Sequence, residues 1–248
     1  MIPVSGGGVA DKYMVRKFVK DRGLGNILVK LYGKYDTTDE INFDELPNSF
    51  VLKTNHGSGD CIVVTDKRKI DIGDIKNRLD NALNTKYGLY SGERHYLSIK
   101  PCIIAEEFLD NDDLGFTTSL IDYKIWCFDG KPYSVWACYS RTKHETFVNV
   151  YDLNWVCHPE FSVFNNHYKD GKGKVPKPRC LEEMLNAASI LSKGFPVLRV
   201  DFYEVKGKLY FGELTCTSNG GYMDFYTKDY LLELGAQVVM TPDCMVMN

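Results

Sequence analysis

The chain has 248 residues, with 30 Lys and Arg against 33 Asp and Glu, and its formal net charge is −3. This near balance gives no electrostatic reason to expect a nucleic acid or an anionic membrane surface as a partner. No apolar run reaches the roughly 18 residues of a membrane span, and the N-terminus lacks the regions of a secretory signal. The length suffices for one large domain or two small ones.

The cysteines and histidines give no sign of a disulfide framework or a zinc site. The 8 cysteines are scattered without a Cys-x-x-Cys pair. This pattern is typical of free thiols in a reducing compartment, and it predicts a cytoplasmic protein. The 5 histidines lie far apart in sequence, and none has the spacing of zinc ligands.

The hydrophobic pattern of the first half predicts a mixture of helices and strands. Asp11 is placed as the N-cap of the first helix, and Gly23 as its stop. The predicted elements are a helix over 11–23, a strand over 27–35, a hairpin of strands 50–53 and 61–64 with a Gly-rich tip, a helix over 71–87 and a strand over 103–109.

The second half continues the same mixture, and Asp129-Gly130 is a strong turn signal. The predicted elements are strands 122–128 and 133–140, a long surface loop over 151–178, a helix over 181–193, a hairpin over 198–215 and a helix over about 228–236. Helices mixed with antiparallel hairpins indicate the α+β class.

The hairpin over 198–215 carries the most informative pattern. Its two apolar strands fold over Lys206-Gly207-Lys208, and each carries one acid at a position that should otherwise be buried, Asp201 or Glu213. A carboxylate in such a strand is costly unless it is paired or bound to a cation. A loop of three or five residues would place both acids on one face, as a site for Mg²⁺ and phosphate, whereas a two-residue loop would separate them. A surface hairpin with solvated acids is the alternative.

The Gly-rich tip Asn55–Gly59 follows a strand that ends in Lys53. Glycine lets backbone amides approach a ligand closely, so the tip could cradle a phosphate, but ordinary turns have the same composition. Lys53, among apolar residues, either meets an anion or extends to solvent from an edge strand. Lys12 and Arg16 are interpreted as solvated helix charges.

Several further charges lie inside predicted strands. Of Glu106 and Glu107, alternation places one inward and one outward, and the inward acid needs a partner. Lys124, Arg141 and Arg199 also lie on strands or at their ends. A strand arginine beside a carboxylate, as in Arg199 and Asp201, is more often a structural ion pair than a catalytic group.

The order of these features resembles the ATP-grasp superfamily, and more closely its TupA-like branch of teichuronopeptide biosynthesis. The resembling stretches are DKYMVRKFV, FVLKTNHGSG, KPCIIAEEFL, DYKIWCFDGKP and GFPVLRVDFYEVKGKLYFGELT, which together span about residues 11 to 215. The resemblance implies two α+β subdomains whose antiparallel sheets clasp ATP. It divides the chain into a lead-in over 1–26, a small subdomain over 27–105 and a large subdomain over 106–248.

The resemblance also implies roles for individual residues, with ATP and two Mg²⁺ ions as cofactors. It assigns to ATP Lys12, Lys53, the loop residues Asn55, His56, Gly57, Ser58 and Gly59, the hinge residues Glu106, Glu107, Phe108 and Leu109, and Asp113 at the ribose. It assigns to the metal ions Asp201 and Glu213, with Thr215 or Asn219 as a further ligand. It places Lys124, Arg141 and Arg199 at the γ-phosphate and at the acyl phosphate formed from it.

Two departures from the superfamily pattern are visible. ATP-grasp enzymes usually carry Glu-x-Asn on the last strand, where this chain has Glu213-Leu-Thr215. The family generally has an N-terminal portion before the Asp-Lys motif, which here begins at Asp11, so we expect loops such as 144–178 or a second copy of the chain in a homodimer to supply the acceptor-binding surface.

The implied activity is an ADP-forming ligation of a carboxylate to an amine through an acyl phosphate. By resemblance to the branch, the substrates are a hexuronic acid, or its activated sugar, and an amino acid or small amine, in surface-polysaccharide biosynthesis. A sugar kinase on the same ATP platform and a non-catalytic nucleotide-binding protein remain as alternatives.

Overall fold

The structure is a computed structural model that describes residues 6–110 and 115–239. The chain divides into two compact units, Met1–Leu109 and Asp110–Asn248. Each unit contains one β-sheet with helices. The seven cysteines within the described residues are all free thiols, and no helix among those residues is long and apolar enough to cross a bilayer.

The first unit contains a four-stranded antiparallel sheet in the order β1-β4-β2-β3. Its core includes the fully buried Phe50, Leu52, Leu79 and Ile103, which come from two strands and the longest helix. The elements are α1 (Gly6–Ala10), α2 (Val15–Asp21), β1 (Leu31–Tyr35), β2 (Phe50–Thr54), β3 (Ile62–Val64), α3 (Ile72–Asn84), α4 (Tyr87–Tyr90) and β4 (Ile103–Glu107).

The second unit contains a six-stranded sheet in the order β10-β9-β5-β6-β7-β8. Its pairings are antiparallel except for the parallel pair β7–β8. The elements are β5 (Asp122–Phe128), β6 (Lys131–Tyr139), β7 (Thr146–Tyr151), β8 (Tyr168–Asp170), α5 (Leu181–Ser192), β9 (Leu198–Val205), β10 (Lys208–Thr215) and α6 (Lys228–Ala236). The mixture of helices with mainly antiparallel sheets confirms the α+β class.

The β9–β10 hairpin places Asp201 opposite Glu213, but not through the loop lengths that would achieve this in a regular hairpin. Val205 pairs with Lys208, so the loop is the two residues Lys206 and Gly207, both with positive φ (54° and 72°), as in a type I′ turn. A β-bulge between Phe211 and Glu213 then shifts the register. Because an extra residue exchanges the two faces of a strand, the bulge returns both acids to the same face.

The predicted surface loop over 151–178 is wrong in part. The segment contains β8, which pairs in parallel with β7 and extends the sheet by one strand. Buried Val175 also anchors the segment. The Asn, His, Lys and Gly residues of the segment are typical of a loop, so the sequence did not predict this short strand, which depends on β7 for its hydrogen bonds.

Predicted element boundaries also differ from the structure for two helices and for the strand predicted over 27–35, which begins at Leu31. The helix predicted over 11–23 is confined to Val15–Asp21, because the Asp11 carboxylate accepts hydrogen bonds from the amides of Tyr13 and Met14 (2.8 and 3.1 Å) in a turn before the helix. The helix predicted over 71–87 ends at Asn84. The predicted subdomain boundary between residues 105 and 106 falls within β4.

Candidate functional site

The second unit brings charged side chains from three adjacent strands onto one face of its sheet. Glu213 on β10 pairs with Asp201 on β9, and Asp201 pairs with Lys124 on β5. Cross-strand partners project to the same face, so these residues form a row across the sheet. Trp136 on β6 continues this row, and its ring stacks on Phe225 with centroids 4.3 Å apart. The charged row therefore borders a buried aromatic cluster.

Arg199 and Asp201 form a bidentate ion pair at the centre of the row. Arg199 Nε lies 2.8 Å from Asp201 Oδ1, and Arg199 Nη2 lies 2.8 Å from Asp201 Oδ2. Both side chains are buried, at 8% and 1% exposure. Residues two apart on a strand share a face, and the planar guanidinium matches the carboxylate with two parallel bonds. The predicted structural pairing is therefore present.

Asp122 links two more cations to the same cluster. Its Oδ2 lies 2.9 Å from Lys124 Nζ and 2.9 Å from Arg141 Nη2. Lys124 Nζ also lies 2.5 Å from Asp201 Oδ2 and so bridges the two aspartates. Arg141 is half-exposed, whereas Lys124 and Asp122 are buried. The predicted catalytic residues Lys124, Arg141 and Arg199 thus belong to one ion-paired cluster.

Glu213 and Thr215 lie at the more open side of this cluster. Arg199 Nη2 lies 3.4 Å from Glu213 Oε1 and 3.0 Å from Thr215 Oγ1. The Glu213 side chain is 39% exposed, far more than Asp201 at 1%. Asn219 is exposed, and its side-chain amide donates to the carbonyl of Tyr222 at 2.5 Å. No hydrogen bond or ion pair among the described residues joins Asn219 to Asp201 or Glu213.

The charges in this cluster shift one another's ionisation. Burial alone would raise the pKa of Asp201, but Arg199 and Lys124 outweigh it and lower the pKa to about 2. Burial alone would lower the pKa of Lys124, but Asp122 and Asp201 raise it above its usual value. The Asp122 carboxylate, with burial second, raises the pKa of Tyr203. At neutral pH Asp201 and Lys124 are therefore charged, and the Tyr203 phenol is neutral.

The first unit contains a second buried ion cluster around Glu106. Its Oε1 lies 2.9 Å from Arg16 Nη1, and its Oε2 lies 2.6 Å from Lys53 Nζ. Arg16 also donates to the carbonyl of Val29 at 2.7 Å, and its side chain is only 12% exposed. The interpretation of Arg16 as a solvated helix charge is therefore wrong. Glu106 is the inward acid of the pair, since Glu107 is half-buried.

The Gly-rich tip is anchored at its base by buried hydrogen bonds. Asn55 accepts from the amide of Cys102 at 2.8 Å, and its side-chain amide donates to the carbonyl of Lys100 at 3.1 Å. Lys12 donates from Nζ to the carbonyl of Gly57, and its backbone amide donates to the carbonyl of Asn55. The side chain of Asn55 thus bonds to the backbone of residues 100 and 102, and these bonds hold the first residue of the tip in place.

A cavity of about 210 Å³ lies under this tip. Its lining includes His56, Ser58, Gly59, Asp60 and Tyr87. His56 Nε2 lies 3.2 Å from the carbonyl of Thr85, and since a carbonyl can only accept, this nitrogen carries the proton. Burial lowers the pKa of His56, so the ring is neutral at pH 7. Its buried Nδ1 has no hydrogen-bond partner among the described residues.

With this geometry established, comparison with known families gives a match over nearly the whole described chain. The family model described as TupA-like ATPgrasp matches residues 7–239. The chain belongs to the TupA-like ATP-grasp family. A comparison with curated proteins found no match.

Solved structures of two ligases are similar to this family member. An L-amino acid ligase from Bacillus licheniformis is 14% identical with a TM-score of 0.53, over 95% of this chain and 52% of that chain. A D-alanine–D-alanine ligase from Bacillus anthracis complexed with ATP is 17% identical with a TM-score of 0.48, over 86% of this chain and 55% of that chain. The TupA-like chain thus spans about half the length of these two enzymes.

The donor set of the TupA-like chain suits a hard divalent cation, although no cluster of three or more His, Cys, Asp or Glu among the described residues forms a ready metal site. Asp201 and Glu213 offer carboxylate oxygens on one face, and Thr215 offers a hydroxyl that Mg²⁺ accepts as a ligand. The chemistry fits, but internal cations hold both oxygens of Asp201.

The remaining residues that the resemblance assigns to ATP are those predicted at the hinge and at the ribose. Phe108 and Leu109 are half-buried and follow β4, and the Glu107 amide donates to the carbonyl of Lys30 at 2.9 Å. Asp113 lies outside the described residues. Sequence reasoning missed Arg16 and Asp122 as members of the charged clusters. Asp122 could have been predicted, because it lies two residues before Lys124 on β5 and residues two apart on a strand share a face.

Proposed function

We propose that the protein is an ATP- and Mg²⁺-dependent carboxylate–amine ligase that forms an amide through an acyl phosphate. The observation that supports this most is the convergence of Lys124, Arg199 and Arg141 with Asp201 and Glu213 on one sheet face. Phosphoryl transfer needs cations around the transferred group and acids that hold the metal ion. Both kinds of group are present within hydrogen-bond distance of one another.

In the first step, the carboxylate of one substrate attacks the γ-phosphorus of ATP, the new O–P bond forms and ADP leaves. Lys124 and Arg199 neutralise the phosphoryl oxygens, and half-exposed Arg141 reaches them from the rim of the cluster. These residues position the reactants and stabilise charge without forming a covalent bond. Asp201 and Glu213, with Thr215 as a further oxygen, would hold Mg²⁺, which would neutralise phosphate charge when bound.

In the second step, the amine attacks the acyl carbon, the C–N bond forms and phosphate leaves with the bonding electrons. The amine proton passes to the departing phosphate or to water. The developing oxyanion needs a preorganised donor, and Arg199 is the buried guanidinium of the cluster, held in one orientation by Asp201 and Ser218. Arg199 therefore acts as the oxyanion donor in this proposal.

The substrates proposed are a hexuronic acid, free or nucleotide-linked, and an amino acid or small amine, in surface-polysaccharide biosynthesis. This assignment is supported by membership of the TupA-like family. The non-catalytic alternative has one observation in its favour, because internal cations already hold both oxygens of Asp201.

The proposal predicts that ADP release depends on a carboxylate and an amine together. Purified protein, ATP and Mg²⁺ are incubated with a panel of hexuronates and amino acids, and ADP is measured by a coupled assay. Glu213→Gln should lower turnover by more than about 100-fold, because the variant loses a metal-binding charge, while its melting temperature stays near that of wild type.

Glu182→Gln is the matched control, since Glu182 is exposed on α5 and contacts none of the cluster residues through a hydrogen bond or ion pair. Turnover of Glu213→Gln near the wild-type level contradicts the metal assignment. ADP release with a sugar but without an amine, giving a phosphorylated sugar, favours the kinase. ATP binding without turnover on the whole panel favours the non-catalytic protein.

A further inference from the structure

Cations of the protein itself already occupy both oxygens of the central acid. Asp201 Oδ1 lies 2.8 Å from Arg199 Nε, and Oδ2 lies 2.8 Å from Arg199 Nη2 and 2.5 Å from Lys124 Nζ. Arg199 Nη2 also lies 3.4 Å from Glu213 Oε1. A divalent ion that used both acids would therefore occupy the space where the guanidinium bridges them.

A free metal ion would gain little binding free energy at such a site. It must either displace Arg199 and Lys124 from Asp201 or lie within a few ångströms of two buried positive charges. Displaced cations in a buried position are costly unless they find a new anion. A metal ion that arrives with a polyphosphate provides that anion, because its phosphate oxygens accept hydrogen bonds from arginine and lysine.

We propose that Arg199 and Lys124 act as internal counter-ions that exclude a free divalent cation, so that the site accepts the metal only as a metal–polyphosphate complex. The inference rests on the proposed assignment of Asp201 and Glu213 as the metal-binding acids. By thermodynamic linkage, the nucleotide must strengthen metal binding by the same factor by which the metal strengthens nucleotide binding.

The test uses Mn²⁺ as the probe, with no second substrate present. Free Mn²⁺ is measured by electron paramagnetic resonance, and a protein-free titration of the same nucleotide is subtracted because ADP and ATP analogues bind Mn²⁺ in solution. We expect wild type to bind Mn²⁺ weakly alone, and at least about 30-fold more tightly with saturating ADP or a non-hydrolysable ATP analogue. Arg199→Gln should gain Mn²⁺ binding without nucleotide, by at least about tenfold over wild type, because Asp201 loses its bidentate partner. The double variant Arg199→Gln/Asp201→Asn should lose that gain, which locates the site.

Two controls separate charge from packing. Arg199→Lys keeps a cation beside Asp201 and should not gain metal binding. Arg179→Gln removes an exposed arginine of the same unit and should behave as wild type. Circular dichroism checks the fold of each variant, and Lys124→Gln provides a second route to the same gain if Arg199→Gln does not fold.

The inference is overturned if wild type alone binds Mn²⁺ as tightly as it does with nucleotide at a site that Asp201→Asn removes. It is equally overturned if folded Arg199→Gln or Lys124→Gln shows no gain, or if nucleotide leaves Mn²⁺ affinity unchanged in wild type. None of these measurements requires turnover. If Arg199→Gln gains metal binding while wild type ligates no member of the substrate panel, the counter-ion role is supported and the ligase is contradicted.

Discussion

Asp122 holds Lys124 and Arg141 through a single oxygen, Oδ2, while its buried Oδ1 has no hydrogen-bond partner in the part of the chain that the structure describes. Removing one member of a buried ion pair typically costs about 3–5 kcal/mol, because the other charge remains desolvated. Asp122 therefore contributes to the position of two predicted catalytic residues without belonging to the predicted set. The contact between Asp122 and Arg141 depends on the fold, because Arg141 comes close to Asp122 only when β6 pairs with β5.

His56 is the residue from which we expect a measurable pH dependence of stability. Its pKa in the folded chain is lowered from 6.5, first by burial, although the Thr85 carbonyl and Asp60 oppose the shift and Lys12 adds to it. The unfolded chain therefore binds more protons than the folded chain below about pH 6.5, so the free energy of unfolding falls as the pH decreases through this range. Urea unfolding of wild type and His56→Gln at pH 7.5 and 5.5 should show a smaller decrease in the variant.

The surface variant His144→Gln controls for the loss of a histidine as such, because His144 is exposed. An equal decrease in wild type and His56→Gln would show that His56 does not contribute to the acid sensitivity.

At the scale of elements, the bulge in β10 decides whether the hairpin forms a site. A regular two-residue hairpin would place Asp201 and Glu213 on opposite faces, and the extra residue between Phe211 and Glu213 reverses this. Gly212 is the residue inserted at that point. A Cβ there would lie 2.9 Å from the carbonyl oxygen of Asp201 and 3.2 Å from the Tyr203 ring, so the close approach requires glycine.

Gly212→Val should therefore destabilise the second unit and misplace Glu213. Crowding at a packed position typically costs about 1–3 kcal/mol, and here the crowded atom is backbone. Thermal unfolding should show a lower midpoint, and metal–nucleotide binding by calorimetry should weaken together with it.

Gly235→Ala is the opposite control. Gly235 lies in α6, and a Cβ there meets nothing within 4 Å, so alanine should stabilise the helix by about 0.5–1 kcal/mol. Wild-type stability and binding in Gly212→Val would show that the register does not depend on this glycine.

Sequence patterns predicted the last two long helices well and missed the shortest strand of the second unit. The periodicity of 181–193 and 228–236 leads directly to α5 and α6, because each presents an apolar face to its own unit. By contrast, β8 is three residues long and forms only against β7. The register of the β9–β10 hairpin could not be predicted either, since nothing in the residue pattern around Gly212 indicates a bulge.

At the scale of the whole molecule, each of the two units contains a buried cluster of acids and cations, one around Glu106 and one around Asp201. The sequence predicted Glu106, Asp201 and Glu213 and most of the cations, because charges inside apolar strands are unusual enough to be noticed. It could not predict the long-range partners, since Arg16 meets Glu106 across 90 positions and Lys124 meets Asp201 across 77. Pairing at such separations follows from the sheet order rather than from local pattern.

In the proposed function, the cluster around Asp201 promotes transfer of a phosphoryl group from ATP to a carboxylate. Hydroxylamine gives a direct test of this transfer, because this small nucleophile converts an acyl phosphate into a stable hydroxamate. With wild type, ATP, Mg²⁺, hydroxylamine and the hexuronate panel, we predict that one member of the panel gives hydroxamate and ADP in equal amounts, and that Glu213→Gln gives neither. ADP formed with a phosphorylated sugar and no hydroxamate would contradict the acyl-phosphate mechanism. Hydroxamate formed equally by Glu213→Gln would contradict the role of Glu213 in it.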